Sequence, residues 1–310
     1  MIMLAAVLFL AQGAPAPKYT VGDTMTVRST VTSHMRMTGG PLPELDIHHT
    51  EVEISTEKVL SVGPEGAWLE ITLQSMTDST TGDGQTKKTA ASADSSMDHL
   101  KAQVEISSVT RRQLAVLGIP AHILVGPLGR VKAVKLPEGS EAAINARYAA
   151  LAPASEAEPP PVDDHPLTRM RDATTWQHGR AFRTAEIDAD GRWTTEELRP
   201  SMFKGKVKQQ RTYTPAGTKS AIQTFTISGT GALTDSMMLA LMVTVDQFKI
   251  EGSALYDTQR QRWDTMDERW QIKATLRAPN PEKKQRVDPM VITRTVEMNT
   301  HTVRHILPNP

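Results

Sequence analysis

The stretch Glu186-Ile-Asp188-Ala-Asp190-Gly191-Arg-Trp193-Thr-Thr-Glu-Glu197 is the sharpest candidate for chemistry in the chain. Laid on a calcium-binding EF-hand loop, it puts acidic oxygens at positions 1, 3 and 5, glycine at 6, an apolar residue at 8 and glutamate at 12. Ca²⁺ takes such a ring of hard oxygens, closed by a bidentate carboxylate. Phe182 falls four residues ahead, where an entering helix would pack. Against this stand the longer Glu186 where the shorter Asp is wanted, Gly179 and Pro200 in the flanking helices, and the lack of a second loop to pair with. The reading adopted is a hairpin over residues 180–198 whose turn is acidic. A Ca²⁺-stabilised module built on 186–197 stands as the first alternative function.

Ser201-Met-Phe-Lys204 has the Ser-x-x-Lys spacing of serine acylases, which needs both side chains on one helical turn. No Lys-Thr-Gly accompanies it, and Pro200 opposes the helix. A serine/lysine hydrolase using Ser201 and Lys204, or an acid pair, is the second alternative. Nine histidines include His34, His48-His49 and the His301/His305 pair. On a strand, 301 and 305 share a face but lie about 13 Å apart, too far to chelate one ion alone. They read as solvated surface groups. His34, Met35 and Met37 suggest soft Cu(I) ligands, yet Met35 and Met37 share a strand face that a core also explains. Fifteen methionines beside five phenylalanines fill an aromatic-poor core. Ser228-Gly-Thr-Gly231 lacks the third glycine and helix start of a phosphate cradle. No catalytic, metal or cofactor residue is therefore assigned, and the binding residues are left open.

The elements that would position any site read mainly as strands. Apolar residues alternate with Thr, Arg and Ser from Tyr19 to Val31, the pattern of a half-buried strand. Thr50 to Val62 repeats it, with Val52, Ile54, Thr56 and Lys58 on one face. The turn Gly63-Pro-Glu-Gly66 returns the chain through Ala67 to Leu73 as a hairpin. Residues 77–96 are small and polar and read as a loop or weak edge ribbon. His99 to Leu117 is expected to be a helix stopped by Gly118 and Pro120. Ala121 to Leu136 forms a second hairpin, and Ser140 to Leu151 a short Ala-rich helix.

Pro, Glu and Ala dominate residues 152–161, so a flexible linker is placed over 152–165 between halves 17–151 and 166–310. The second half opens at Gly191-Arg-Trp193 and continues with strands over 207–214, 220–228, 247–256, 262–277 and 291–306. Met237 to Val245 is apolar almost throughout and reads as buried. Trp263 and Trp270, at odd separation, are expected on opposite faces of one strand. The halves share a grammar without a strict repeat.

Residues 1–16 carry an unbroken apolar run from Met1 to Leu10, followed by Ala11, Gly13, Ala14 and Ala16. Ten residues make about 15 Å of helix, roughly half a bilayer's hydrocarbon. The run has the length of a signal-peptide core, although no basic residue precedes it. Thirty-five basic and 35 acidic residues cancel, so no overall field points to nucleic acid or an anionic membrane. There is no cysteine, which excludes disulfides, thiol chemistry and a lipoprotein anchor.

In their order, several pieces resemble an uncharacterised family of secreted bacterial β-rich proteins, a domain of unknown function. The pieces are Tyr19-Thr-Val-Gly-Asp23, Val62-Gly-Pro-Glu-Gly66 before Ala67-Trp-Leu-Glu-Ile, Ala93-Asp-Ser-Ser96, Leu117-Gly-Ile-Pro120 with Leu128-Gly-Arg-Val131, Gly191-Arg-Trp193, and Ile250-Glu-Gly252 with Leu255-Tyr-Asp257. The resemblance implies a curved antiparallel sheet and no activity, and it takes Gly191-Arg-Trp193 as a strand entry. Members often bear a lipoprotein cysteine, which this chain lacks.

The expectation is a mainly β protein, α+β at the margin: a curved antiparallel sheet or half-barrel, in two related halves, with one or two helices. It is expected outside the cytoplasm, periplasmic or secreted, soluble and not lipid-anchored. Its expected role is non-enzymatic, structural or binding. A lipid or other apolar small molecule is the expected partner, with no nucleic acid, no cofactor and no transmembrane segment.

Overall fold

Period-two alternation dominates the chain, and β-pairing answers it. The structure, a computed structural model, describes residues 16–39, 43–104, 108–152, 186–200, 206–234, 243–279 and 291–307. In chain order the elements are β1 (Thr24–Thr38), β2 (Leu45–Gly63), β3 (Gly66–Gly82), β4 (Gln85–Ser92), α1 (Met97–Val104), α2 (Ser108–Val116), β5 (Ala121–Val125), β6 (Val131–Lys135) and α3 (Ser140–Ala150). They continue with β7 (Trp193–Pro200), β8 (Lys206–Lys219), β9 (Ile222–Thr234), β10 (Val243–Asp257), β11 (Arg262–Pro279) and β12 (Val291–Leu307).

All twelve strands belong to one antiparallel sheet, ordered β6-β5-β3-β2-β1-β12-β11-β10-β9-β8-β7, with β4 on the far half of β3. The sheet is open: among the described residues its end strands β6 and β7 do not pair with each other. The first strand lies beside the last, Thr26 opposite Leu307 through Thr38 opposite Thr295. Both halves of the chain thus merge into one continuous sheet. Residues 153–165 of the expected linker, and residues 1–15 of the expected export signal, lie outside the described residues. Among the described residues no helix is long and apolar enough to cross a membrane.

Register puts one set of side chains on a common inner face. A single row runs Asp78, Glu51, Val31, Thr302, Glu268, Gly252, Ile227, Tyr213 and Trp193 across nine strands. The buried cluster of Trp193, Tyr213, Phe225, Ile227, Phe248, Ile250 and Tyr256 lies on this face, as do Val59, Leu69, Ile71, Ile123 and Val125 at the other end. Rolling encloses it. Phe225 on β9 meets Trp263 on β11 at 5.5 Å, edge to face.

Glycines allow the roll. A Cβ on Gly229 would run into the carbonyl oxygen of Gln210, and one on Gly252 into that of Asp267, so neighbouring backbones approach where the strands bend. In the Gly-Thr-Gly of β9, Gly229 thus serves sheet curvature, whereas Gly231 leaves room for the Phe248 ring.

One expectation needs correcting. Trp263 and Trp270 do not face opposite sides: Leu255 pairs Thr265 while Tyr256 pairs Trp263, leaving Asp264 as an extra residue in β11. This bulge shifts the alternation by one, so both tryptophans pack against the inner cluster. The helix expected over 99–117 appears as α1 and α2 on either side of residues 105–107, which lie outside the described residues. Ser96 caps the first, its Oγ accepting from the His99 backbone N–H at 3.3 Å. Gly118, at φ +73°, ends the second. Residues 77–92 extend β3 and supply β4, which pairs with β3 off the main strand order, so the edge-ribbon form of the expectation holds rather than the loop. The helices lie over the inner face at β3 and β4, where Leu100, Leu114 and Leu117 pack on Met76 and Ala91.

Candidate functional site on the inner face

Strand β2 is polar on its inner side. Val52 and Ile54 stand on the outer face, while His49, Glu51, Glu53 and Glu57 share the side that carries the core. Helix α2 then covers Glu51 and Glu53 through Gln113. Carboxylates turned inward are costly unless something compensates them, so inward polarity marks a candidate site.

Side chains from three elements meet there. Glu51 lies opposite Asp78 of β3. His49 Nε2 sits 2.6 Å from Asp78 Oδ2, and this hydrogen bond raises the imidazole above its ordinary range. Gln113 Nε2 donates to Glu51 Oε1 at 2.6 Å. Burial, and next the neighbouring Glu53 carboxylate, push Glu51 well above the ordinary carboxylate range. Ligand atoms of His49, Glu51 and Asp78 lie within 4.8 Å of one another.

Beside this cluster the inner face turns apolar. Ile47, Met35, Met298 and Ile272 follow one another across β2, β1, β12 and β11, and Phe248 of β10 continues the row. The first four are half-buried, with part of each side chain open. The next row holds Leu45, Met37, Val296, Ala274 and Val245. On the outer face the corresponding positions are charged: Asp46, Arg36, Glu297 and Lys273, the last two paired at 3.2 Å. The half-open apolar strip thus belongs to one side only.

Two enclosed ion pairs lie farther along the inner face, both on the same side of the strip. Arg211 Nε on β8 reaches Glu268 Oε1 on β11 at 3.0 Å, with both side chains fully buried. Gln209 Oε1, Glu197 Oε2 and the Trp270 indole complete that network at 2.7, 3.1 and 3.2 Å. Arg304 of β12 bonds Glu57 of β2 at 2.7 Å. Near it, burial first and Glu57 second raise the Tyr19 phenol above its ordinary range. Residues 16–22 cross this end of the sheet: the Tyr256 hydroxyl donates to the Ala16 carbonyl at 2.7 Å, and the Gly22 N–H donates to Val59 O at 2.9 Å.

The residues singled out in the sequence fall elsewhere. The acidic stretch is a turn: Asp188 Oδ1 accepts the Asp190 and Arg192 backbone N–H groups at 2.9 Å each, and the Arg192 guanidinium bonds both aspartates. Trp193 starts β7, and Glu197 is drawn to Arg211, so the stretch does not wrap as an EF-hand loop. Among the described residues its strand partner is β8; residues 180–185 of the expected hairpin lie outside them. Ser201 and Lys204 lie there too.

Strand alternation separates His34, on the outer face, from Met35 and Met37, which pack inward near Ala274 and Val296. His34 stacks on His48 at 4.1 Å, with Asp46 Oδ1 at 2.7 and 3.4 Å from their Nε2 atoms. His301 pairs with Asp267 at 2.9 Å. His49 departs from the surface reading, because its strand position turns it inward beneath α2.

No family model matches the chain, and no curated protein matches it. Among solved structures, one of lipid–protein interactions in lipovitellin matches at 7% identity and a TM-score of 0.48, over 94% of this chain and 26% of that one. This chain thus spans about a quarter of the lipovitellin chain. Pseudomonas aeruginosa OccK2 (OpdF) in complex with glucuronate matches at 7% identity and a TM-score of 0.20, over 93% of this chain and 99% of that one. Pseudomonas aeruginosa OccK7 (OpdD) matches at 10% identity and a TM-score of 0.20, over 92% and 99%.

Proposed function

We propose that this chain is an exported, non-enzymatic binding protein that carries a lipid or other apolar small molecule on the inner face of its sheet. The observation behind this reading is the half-open row Ile47, Met35, Met298 and Ile272. Methionine suits such a surface, because its flexible thioether adapts to irregular apolar partners. The neighbouring row holds Ser33 and Thr300, whose hydroxyls offer polar groups to a ligand's head. The apolar segment Met1 to Leu10 supports export.

The test is titration with a fluorescent long-chain fatty acid, followed by its emission and by quenching of tryptophan. Saturable binding at one site is expected, reduced at least tenfold in Met298→Arg and in Met35→Arg. A charge placed in an apolar contact costs more than the 1.4 kcal/mol that tenfold represents. The outer-face variant Lys273→Gln should bind as the parent does. Absence of saturable binding, or binding indifferent to both arginine variants, would overturn the reading.

A further inference from the structure

We propose that His49, Glu51 and Asp78 form a binding site for a divalent first-row metal ion, with Zn²⁺ the best match, roofed by Gln113 and Thr89. The inference stands independently of ligand carriage.

The geometry supplies the ligands. His49 and Glu51 are two apart on β2, hence on one face, and Asp78 is the cross-strand neighbour of Glu51. Their donor atoms lie within 4.8 Å of one another. An ion with bonds of about 2.0–2.2 Å holds tetrahedral ligand atoms roughly 3.4 Å apart. The 2.6 Å contact between His49 and Asp78 need open by less than 1 Å, roughly, to admit it. Rotation of two side chains on fixed strands accomplishes that.

A second observation points to a missing partner. Thr89 of β4 is the cross-strand neighbour of Asp78 on the same face and is only 1% exposed. Its hydroxyl, buried there, has no hydrogen-bond partner among the described residues, and neither has the buried Gln113 Oε1. Buried oxygens are nearly always satisfied, and orphans beside a ligand cluster are where an ion or its bound water belongs. Gln113 Oε1 and Thr89 Oγ1 can each accept from a metal-bound water. Among the described residues no lysine or arginine bonds Glu51 or Asp78. A dication would compensate their charge inside the fold.

The donor set selects the metal. One imidazole nitrogen with two carboxylates gives three protein ligands and leaves a fourth position for water, an arrangement that Zn²⁺ takes. Ca²⁺ requires six to eight oxygens and Mg²⁺ a nearly ideal oxygen octahedron, so the imidazole disfavours both.

The experiment measures zinc bound per chain after dialysis, and melting temperature with and without Zn²⁺, on the full chain stripped with a chelator. One tightly held equivalent and a melting rise of about 5 °C at 100 times Kd are expected. His49→Ala and Asp78→Asn should each weaken binding at least tenfold. Glu51→Gln, which keeps the shape and a polar contact to Gln113, should weaken binding while leaving the far-ultraviolet circular dichroism unchanged. That last variant keeps the test sound if the others misfold. The double variant His34→Ala/His48→Ala, on the outer face, should retain the equivalent. A parent that holds no zinc overturns the proposal, as does binding that survives Glu51→Gln and Asp78→Asn or vanishes only with the outer histidines.

Discussion

Trp193 of β7 and Trp263 of β11 stand 6.3 Å apart between ring centroids, although three strands lie between them in the sheet. In a flat sheet four strand spacings would separate them by about 19 Å. The difference measures how tightly this half of the sheet rolls. Trp263 also touches Phe225 and Tyr256 at 5.5 and 5.2 Å, so it is the hub on which the roll closes. Trp263→Ala is expected to cost about 3–5 kcal/mol, and near-ultraviolet circular dichroism together with urea unfolding would show it. A loss below about 1 kcal/mol would contradict the hub role.

Curvature depends on close backbone approach at Gly229 and Gly252. In each alanine variant the new Cβ meets a carbonyl oxygen of the neighbouring strand, which a side-chain rotation cannot relieve. Each substitution should destabilise by about 3 kcal/mol, the upper end of overpacking costs. Gly84→Ala, in the open turn before β4 where nothing crowds the new methyl, is the control: only the strain of its positive φ is expected there, about 1 kcal/mol. Equilibrium unfolding of the three variants compares them directly.

The buried pair Arg211–Glu268 predicts an asymmetry between single and double replacement. Arg211→Met leaves Glu268 charged and enclosed, an expected loss of about 3–5 kcal/mol. Replacing both with methionine removes the stranded charge and should recover much of that loss. A double-mutant cycle in urea reads the difference, and additive losses would count against the account.

Alkaline pH should act through Tyr256. Burial first, and Asp257 second, push its phenol up to about 12, whereas in the unfolded chain it titrates near 10. The folded state therefore keeps a proton that the unfolded state gives up. Stability from this group is present below pH 10 and is lost as pH rises towards 12. Tyr256→Phe loses the hydrogen bond to Ala16, about 1 kcal/mol, at neutral pH. The gap between variant and parent should narrow above pH 10, as melting temperatures across that range would reveal.

Much of the fold was legible because strand formation is written locally. The alternation in 50–62, the Gly63-Pro-Glu-Gly66 turn and the run from Ala67 reappear as β2, its turn and β3. The Ala121 to Leu136 hairpin and the helix from Ser140 reappear as β5, β6 and α3. The bulge at Asp264 was not legible, since one extra residue in a ladder shows only once its partner strand is known. Nor was the candidate site. Glu51 and Glu53 alternate with Val52 and Ile54, a pattern that says two faces differ and leaves open which of them points inward.

By itself, then, the amino-acid sequence determined a β-rich chain without disulfides, the position of most strands and turns, and an apolar leading segment. The tertiary structure alone decided that the first and last strands are neighbours, that the sheet rolls around Trp263, and that His49, Glu51, Asp78 and Thr89 gather beneath α2. The reason is physical. Alternation and turn propensity act between residues a few positions apart, whereas strand order, register and the choice of inner face depend on contacts across the sheet between distant parts of the chain.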